Sequence, residues 1–224
     1  MKLEVSKINI TFGNKKILNN ISFECSTGDI IGVFGRNGSG KSSLLKTIFG
    51  TIKADDILIK IDHKNILKEK IISDKLIAYL PQNTFLPKEK KVRDIIPLFF
   101  NKSKDQEKIF YDTKITSFEK QKIGTLSIGE LRYLEILLIG SLNHPFLLLD
   151  EPFSMVEPNY IKIISDLLLK LKQEKGIIIT DHYYNDVLKI TNLNFILKDG
   201  EKFPIQNKYD LMKYNYLSKN KIQS

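Results

Sequence analysis

The chain has 224 residues, of which 42% are hydrophobic and 27% are charged. This length and balance predict one soluble globular domain with a real core, and the longest apolar runs are too short to cross a membrane. The first residues show no apolar block of the kind found in signal peptides. The lone cysteine, Cys25, excludes an internal disulfide, suits a reducing cytoplasm and is expected to be a small buried side chain.

The net charge of +9 raises the question of a nucleic-acid partner. Only Arg36, Arg93 and Arg132 are arginines among the 35 basic residues, and the lysines are spread along the chain. Base readout and bidentate phosphate binding favour arginine, with aromatic residues interleaved. The composition therefore favours solvated lysine on an ordinary surface. Attraction to acidic lipid or nucleic acid is the weaker alternative, and nucleic acid is not expected as a partner.

In chain order, segments rich in branched and aromatic residues come first. They predict strands within residues 5–12, 21–25, 30–34, 57–61 and 76–80. Helical periodicity follows over residues 42–49, in the 92–121 region, and over residues 127–139 and 158–175. Pro158 suits the first turn of the last helix and Gly176 its C-terminal cap. Because residues 146–181 read as buried strand, helix and buried strand, we expect a parallel sheet.

A glycine-rich turn lies between an apolar strand and the first predicted helix. It reads G-R-N-G-S-G-K-S over residues 35–42, the spacing of a phosphate-binding loop. Its backbone N–H groups and the following helix N-terminus suit phosphate oxygens. Lys41 is predicted to reach the β- and γ-phosphates, and the Ser42 hydroxyl to bind Mg²⁺. The nucleotide-binding residues predicted here are Gly35, Arg36, Asn37, Gly38, Ser39, Gly40, Lys41, Ser42 and Ser43.

A second apolar run, F-L-L-L over residues 146–149, is followed directly by two acids. Asp150 would sit at a strand end, where its carboxylate faces the magnesium side of a bound nucleotide. Glu151 follows, where it could orient or deprotonate an attacking water. The pair predicts a nucleotide-hydrolysing site.

These motifs together resemble the ATP-binding cassette (ABC) family of ATPases, over nearly the whole chain. Residues 35–42 match its Walker A loop, and residues 146–151 match its Walker B strand with the glutamate that follows. Gln82, which ends A-Y-L-P-Q, is similar to the glutamine loop, and residues 126–130, L-S-I-G-E, stand where the signature motif belongs. His182, which ends T-D-H, matches the switch histidine. All five motifs have the family's order and spacing.

The resemblance implies an α/β fold with a P-loop NTPase (RecA-like) core, an N-terminal antiparallel β subdomain and an inserted helical subdomain. Residues 1–224 would form a single cassette domain. Its nucleotide-binding core would comprise residues 1–82 and 140–224, and its helical subdomain, with the signature motif, residues 83–139. The resemblance also implies head-to-tail pairing with a second cassette, most simply its own copy, and a separate transmembrane permease. The chain would then be cytoplasmic and peripheral, on the inner face of the cell membrane.

The resemblance also assigns ATP and Mg²⁺ to the site. The implied catalytic residues are Glu151, His182 and Lys41, and the implied metal ligands are Ser42, Gln82 and Asp150. Phe12 matches the aromatic residue that stacks on adenine, for which any ring face suffices; packing in a strand core is the alternative. Gln82 would also contact the nucleotide, and Ser127, Gly129 and Glu130 would do so across the cassette interface.

Three positions depart from the family pattern. Ile128 replaces the first of two signature glycines, and a β-branched residue would be strained at a positive φ. If the backbone there enters a helix normally, the effect is instead steric, near the opposing phosphate loop. Glu157 replaces the usual aspartate after Walker B, and Tyr133 replaces a frequent arginine. Because the base and the switch histidine are both retained, we predict a working ATPase, slowed if Ile128 interferes.

Two functions are compatible with the sequence. The favoured one is the energy-coupling subunit of a transporter, with Phe85, Leu86, Phe99 and Phe100 as candidate anchors for the permease. For the last two, closing the helical subdomain's core is the alternative. The runs around the signature, Walker B and switch motifs look most similar to cassettes of the lipopolysaccharide-export and branched-chain amino-acid type. The competing function is a soluble clamp or assembly factor, and pairing with a different, complete cassette is also open.

Overall fold

The computed structural model describes residues 1–217, and residues 218–224 of the expected nucleotide-binding core lie outside this range. The described chain forms two β-sheets, with helices packed against the larger one. This arrangement confirms the predicted α/β fold with an antiparallel N-terminal part. The boundaries of the helical subdomain stay a prediction.

An antiparallel four-stranded sheet is built from the N-terminal part of the chain, in the order β2-β1-β4-β5. Alternate residues of β1 are buried, as expected for a sheet with one face on the core and one toward water. A shift in strand register between Val5 and Ile8 interrupts this alternation, beside Lys7 at φ 57°. The strands are β1 (Lys2–Phe12), β2 (Lys15–Ser26), β4 (Asp56–Ile61) and β5 (Lys64–Asn65).

The larger sheet has the order β10-β9-β3-β8-β7-β6, with only β10 antiparallel to its neighbour among these pairings. Every residue of β3, β7 and β8 is buried, because helices cover both faces of a parallel sheet. The carboxyl ends of these strands therefore meet at one edge. The strands are β3 (Ile30–Phe34), β6 (Ile77–Leu80), β7 (Phe146–Asp150), β8 (Gly176–Thr180), β9 (Leu193–Lys198) and β10 (Glu201–Pro204).

The predicted helices form in the expected order, and three further short helices at Lys68–Ser73, Tyr184–Ile190 and Lys208–Lys213 were not predicted. None of the helices in residues 1–217 is long and apolar enough to cross a membrane. A 3₁₀ turn at Ile123–Thr125 precedes α6. The helices are α1 (Lys41–Phe49), α2 (Lys68–Ser73), α3 (Val92–Phe99), α4 (Ser103–Phe110), α5 (Ile115–Phe118), α6 (Ile128–Gly140), α7 (Pro158–Leu171), α8 (Tyr184–Ile190) and α9 (Lys208–Lys213).

The predicted helical region 92–121 forms three short helices, and the first break is Phe100, which is buried with an extended backbone. One local prediction is wrong. The helix predicted to run to residue 175 ends at Leu171, and Gly176 does not cap it but begins β8. A Cβ on Gly176 would lie 2.9 Å from Cys25 Sγ, so glycine is needed there for close packing. Cys25 itself is fully buried, as predicted, and burial raises its pKa to about 12.

Candidate nucleotide-binding site

The glycine-rich turn connects β3 to α1 and closes on itself. The Lys41 ammonium donates to the Gly35 carbonyl at 2.8 Å. Gly40 precedes α1 with φ 98°, a left-handed conformation that favours glycine. Lys41 is 6% exposed. Burial lowers its pKa, and the charges of Glu151 and Asp150 oppose that shift.

Asp150, at the end of β7, is held by three hydroxyl groups. Its Oδ1 accepts from Ser42 Oγ at 3.0 Å and from Thr180 Oγ1 at 2.7 Å, and its Oδ2 accepts from Tyr79 at 3.1 Å. The paired oxygens of Ser42 and Asp150 suit a hard cation that shares its shell with phosphates and water. In residues 1–217 no group of three His, Cys, Asp or Glu side chains could hold a metal by itself. The donor set therefore fits Mg²⁺ bound jointly with a nucleotide.

Glu151 is where three distant motifs meet. Its backbone turns to φ 52° after the strand, so the side chain leaves the sheet edge. Gln82 Nε2 donates to its Oε2 at 2.9 Å, and His182 Nε2 lies 3.2 Å from its Oε1. Burial and the charge of Lys41 lower the pKa of His182, while Glu151 opposes the shift. The predicted base and switch histidine are thus already in contact.

A cleft of about 570 Å³ opens above the phosphate loop. Phe12 lines it with 48% of its surface exposed, so this ring is not a core aromatic. Gly35 is buried at the base of the loop, and Arg36 lines a neighbouring cavity of about 410 Å³. The other predicted residues that line the cleft are Asn37, Gly38, Ser39, Gly40, Lys41, Ser42, Ser43, Gln82 and Glu151.

The signature residues do not line this cleft. Ser127 caps α6: its hydroxyl accepts from Glu130 N at 3.2 Å, and the Glu130 carboxylate accepts from Ser127 N at 2.8 Å. Ser127 is exposed and Glu130 is half-buried. The structure therefore brings together the loop, glutamine, Walker B and switch motifs but leaves the signature motif apart.

Ile128 is the first residue of α6, and its φ is not positive. Its side chain is 47% exposed. Gly129, in contrast, is buried, and a Cβ there would lie 2.5 Å from Cγ of Tyr160 and 2.7 Å from Glu157 Oε2. The close approach thus requires glycine at position 129, not at 128. Backbone strain at Ile128 is excluded, and only the steric interpretation remains.

Arg132 is a buried residue to which the sequence assigned no role. Its guanidinium donates to the carbonyls of Pro81 and Gln82 at 3.0 and 2.9 Å and to that of Glu151 at 3.2 Å. It also pairs with Glu135 at 3.1 Å, where both side chains are under 10% exposed. Arg132 therefore fastens the glutamine loop to the end of Walker B. A charged pair three residues apart on an otherwise apolar helix is the signal that could have revealed it.

Tyr133 and Asp181 each connect two segments near the site through hydrogen bonds. The Tyr133 hydroxyl donates to Asp112 Oδ2 at 2.7 Å and ties α6 to the turn after α4. Burial and this hydrogen bond raise the pKa of Tyr133. Asp181 accepts from the backbone N–H groups of Phe153 and Tyr183 at 2.8 and 2.9 Å. Burial raises its pKa to about 6, and it links the switch turn to the loop after Walker B.

A glycine-rich loop facing paired acids at the edge of a parallel sheet defines a P-loop nucleotide-binding protein. The sequence model of the ABC transporter family matches residues 18–154, more than half of the chain, and the chain therefore belongs to this family.

Two curated relatives show the range of the similarity. An uncharacterized ABC transporter ATP-binding protein of Methanocaldococcus jannaschii is 29% identical over 209 residues, which cover 89% of this chain and 75% of that protein. The galactose/methyl galactoside import ATP-binding protein MglA of Clostridium perfringens is 27% identical over 223 residues. That match covers 93% of this chain but 43% of MglA, so the chain spans less than half of that relative's length.

Solved structures show the same fold. A nucleotide-free ATP-binding cassette from an ABC transporter superposes with a TM-score of 0.83 at 24% identity, covering 98% of this chain and 97% of that one. The ADP conformation of an ATP-binding cassette of an ABC transporter has a TM-score of 0.77 at 25% identity and covers 94% of both chains. The P-loop cassette fold predicted from the sequence is confirmed.

Replacing Arg132 by methionine should reduce the free energy of unfolding by about 3–5 kcal/mol, because it leaves the buried Glu135 carboxylate without its charged partner. Urea denaturation would measure this loss. In the control Asp186→Asn, which breaks an exposed pair with Lys189, the loss should stay below about 1 kcal/mol. Removing both buried charges in Arg132→Met/Glu135→Leu should restore part of the stability. Equal losses for Arg132→Met and the control would contradict the stabilising role of the buried Arg132–Glu135 pair.

Replacing Ile128 by glycine should lower stability by up to about 1 kcal/mol, because glycine is the poorer helix former and no backbone strain is relieved. Ile128→Ala, which keeps a Cβ, should leave the thermal midpoint close to that of the wild type. A higher midpoint for Ile128→Gly would mean that the isoleucine strains the backbone after all.

Proposed function

We propose that this chain is the ATP-hydrolysing subunit of an ABC transporter and powers a separate membrane permease through ATP-driven closure of two cassettes. The observation that carries the proposal is the set of contacts at Glu151. The Glu151 carboxylate accepts a hydrogen bond from Gln82 of the glutamine loop and lies 3.2 Å from the switch histidine, so the three groups are in direct contact. Nucleotide binding alone does not require contact between Glu151, His182 and Gln82, whereas hydrolysis does require a base placed near the γ-phosphate.

Three side chains of this chain would have different roles in hydrolysis. Lys41 would neutralise the β- and γ-phosphates, and Glu151 would take the proton of the attacking water. His182 Nε2 would donate to a γ-phosphate oxygen as the cassettes close. When bound, Mg²⁺ stabilises the charge that develops on the phosphates, held by Ser42 and Asp150 with Gln82 as the third implied ligand.

A second cassette would complete the site. The start of α6 is exposed at Ser127 and Ile128, away from the cleft of the same chain. The N-terminus of a helix offers free N–H groups and a positive dipole end to an anion. We therefore propose that Ser127, Gly129 and Glu130 of one copy meet the nucleotide bound by the other, with the chain pairing with its own copy. Ile128 then adds bulk beside the opposing phosphate loop.

Replacing Glu151 by glutamine should lower the rate of ATP hydrolysis by about 10²–10⁴-fold, because a positioned base contributes about that much. Phosphate release would measure it, and binding of a fluorescent ATP analogue should be retained because the phosphate loop is unchanged. Glu174→Gln, at an exposed position after α7, is the matched control and should hydrolyse ATP normally. Turnover that survives in Glu151→Gln would show that Glu151 is not the base.

An apolar groove of about 230 Å³ beside the glutamine loop would receive the permease. Phe85, 43% exposed, and Phe99 line it, with ring centroids 6.4 Å apart. Leu86 and Phe100 are only 5% and 6% exposed. The prediction of Leu86 as an anchor is wrong because its side chain packs in the core, and Phe100 follows the alternative expected for it, packing in the core. The groove suits the apolar face of an amphipathic helix, and Pro81 on its wall directly precedes Gln82.

Replacing Phe85 by serine should reduce recovery of the permease with the tagged protein, because it removes the exposed ring of the groove. The measurement is gentle extraction of membranes from the native cell, purification, and identification of the co-purifying chains. ATP affinity should not change. Tyr111→Ser, at a position 78% exposed and outside the groove, should recover the permease normally.

Recovery of the wild type without any membrane protein would instead support the soluble assembly-factor role. Such recovery would also contradict the proposed position on the inner face of the cell membrane. The exposed apolar groove favours the transporter. The lipopolysaccharide-export or branched-chain subtype stays a hypothesis, because a relative such as MglA is a sugar importer by name. The motif residues bind ATP rather than cargo, so the substrate follows from the permease.

A further inference from the structure

Tyr216 lies on the side of His182 that faces away from Glu151. Its hydroxyl is 3.4 Å from His182 Nδ1, while Nε2 of the same ring lies 3.2 Å from Glu151 Oε1. The imidazole therefore sits between a phenol and a carboxylate. Glu151 directly follows β7, His182 lies in the turn after β8, and Tyr216 lies in the segment after α9.

The segment that carries Tyr216 is fastened to the protein. Tyr216 N donates to the Leu211 carbonyl at 2.8 Å, and Leu217 is buried. The Tyr216 ring is half-buried and packs against Phe34 at the end of β3, with centroids 6.1 Å apart. The hydroxyl is thus presented to His182 by a folded element rather than by a free tail.

The chemistry of the three groups decides which ring nitrogen carries the proton. A neutral imidazole has one N–H and one acceptor nitrogen, and an ionised carboxylate only accepts. Because Nε2 faces Glu151, the proton belongs on Nε2, which leaves Nδ1 as the acceptor. Tyr216 must then be the donor. Burial raises the pKa of Tyr216 to about 12, so the phenol keeps its proton at neutral pH.

We propose that Tyr216 is a positioning residue that holds His182 in the Nε2–H tautomer by donating its hydroxyl hydrogen bond to Nδ1. The orientation of a histidine and its tautomer are set by the bond that the second ring nitrogen makes. A phosphate oxygen accepts hydrogen bonds, so His182 can contact a γ-phosphate productively only with the proton on Nε2. The kinetic consequence rests on the proposed ATPase function; the tautomer itself does not.

The test is Tyr216→Phe, which keeps the ring against Phe34 and removes only the hydroxyl. We expect kcat for ATP to fall about tenfold, the lower end of the effect that partners of metal-bound histidines have. The KM for ATP should stay unchanged, because only a hydroxyl is removed and Tyr216 lines the neighbouring cavity that holds Arg36 rather than the nucleotide cleft itself. The matched control is Tyr214→Phe, two residues earlier, whose ring stacks on Phe203 with centroids 4.8 Å apart. It should leave both constants unchanged.

The decisive readout is the ¹⁵N spectrum of the imidazoles, which reports the protonated nitrogen without any turnover. The chain has three histidines, and His182→Gln assigns the signal. We expect the Nε2–H form alone in the wild type and a mixture of tautomers in Tyr216→Phe. An unchanged tautomer in Tyr216→Phe overturns the inference, whether or not kcat falls, and leaves the proposed function standing. Absence of hydrolysis by the wild type overturns the proposed function, and the spectrum still decides the role of Tyr216.

Discussion

The parallel pairing of β3, β8 and β7 is the constraint on which the site depends. Hydrogen bonds between parallel strands place all the carboxyl ends at one edge of the sheet, where each strand is followed by a loop. The phosphate loop follows β3, Asp150 ends β7 with Glu151 directly after it, and the switch turn follows β8. The register sets Asp150 beside Thr180, whose hydroxyl bonds to the Asp150 carboxylate. The acids are thus positioned by the sheet, not by local sequence.

Several charged groups at this edge are buried, and buried polar groups are normally hydrogen-bonded. Asp150 has three hydroxyl donors, Asp181 has two backbone donors, and Arg132 is satisfied by carbonyls and Glu135. An unpaired charge in such surroundings costs more than a paired one contributes. The main effect of the network is therefore to fix one geometry of the glutamine loop relative to the acids. Its net contribution to stability is the smaller effect.

Helix α6 connects the surfaces that the proposed function needs. Its exposed N-terminus carries Ser127, its middle carries Arg132 against the glutamine loop, and Ile139 near its end lines the apolar groove. The signature end, the glutamine loop and the apolar groove are therefore all in contact with one helix. Tyr133, in place of a frequent arginine, keeps this helix attached to the turn after α4 through Asp112.

The sequence alone determined the fold class and most of the residues that gather at the cleft, because those signals are local. A strand, a glycine turn and a helix identify the phosphate loop, and an apolar strand before two acids identifies Asp150 and Glu151. Only the tertiary structure decided which aromatic and aliphatic side chains are exposed to solvent. Phe85 is exposed while Leu86, its neighbour, is buried, and no periodicity separates them.

Tertiary structure likewise decided three further features. These are the backbone conformation at Ile128, the contacts of Arg132 with the glutamine loop, and the approach of Tyr216 to His182. Each depends on contacts between segments far apart in the chain, whose geometry follows from how helices pack on the sheet. The sequence names the residue at such a position, but its environment exists only after packing has brought the partners together.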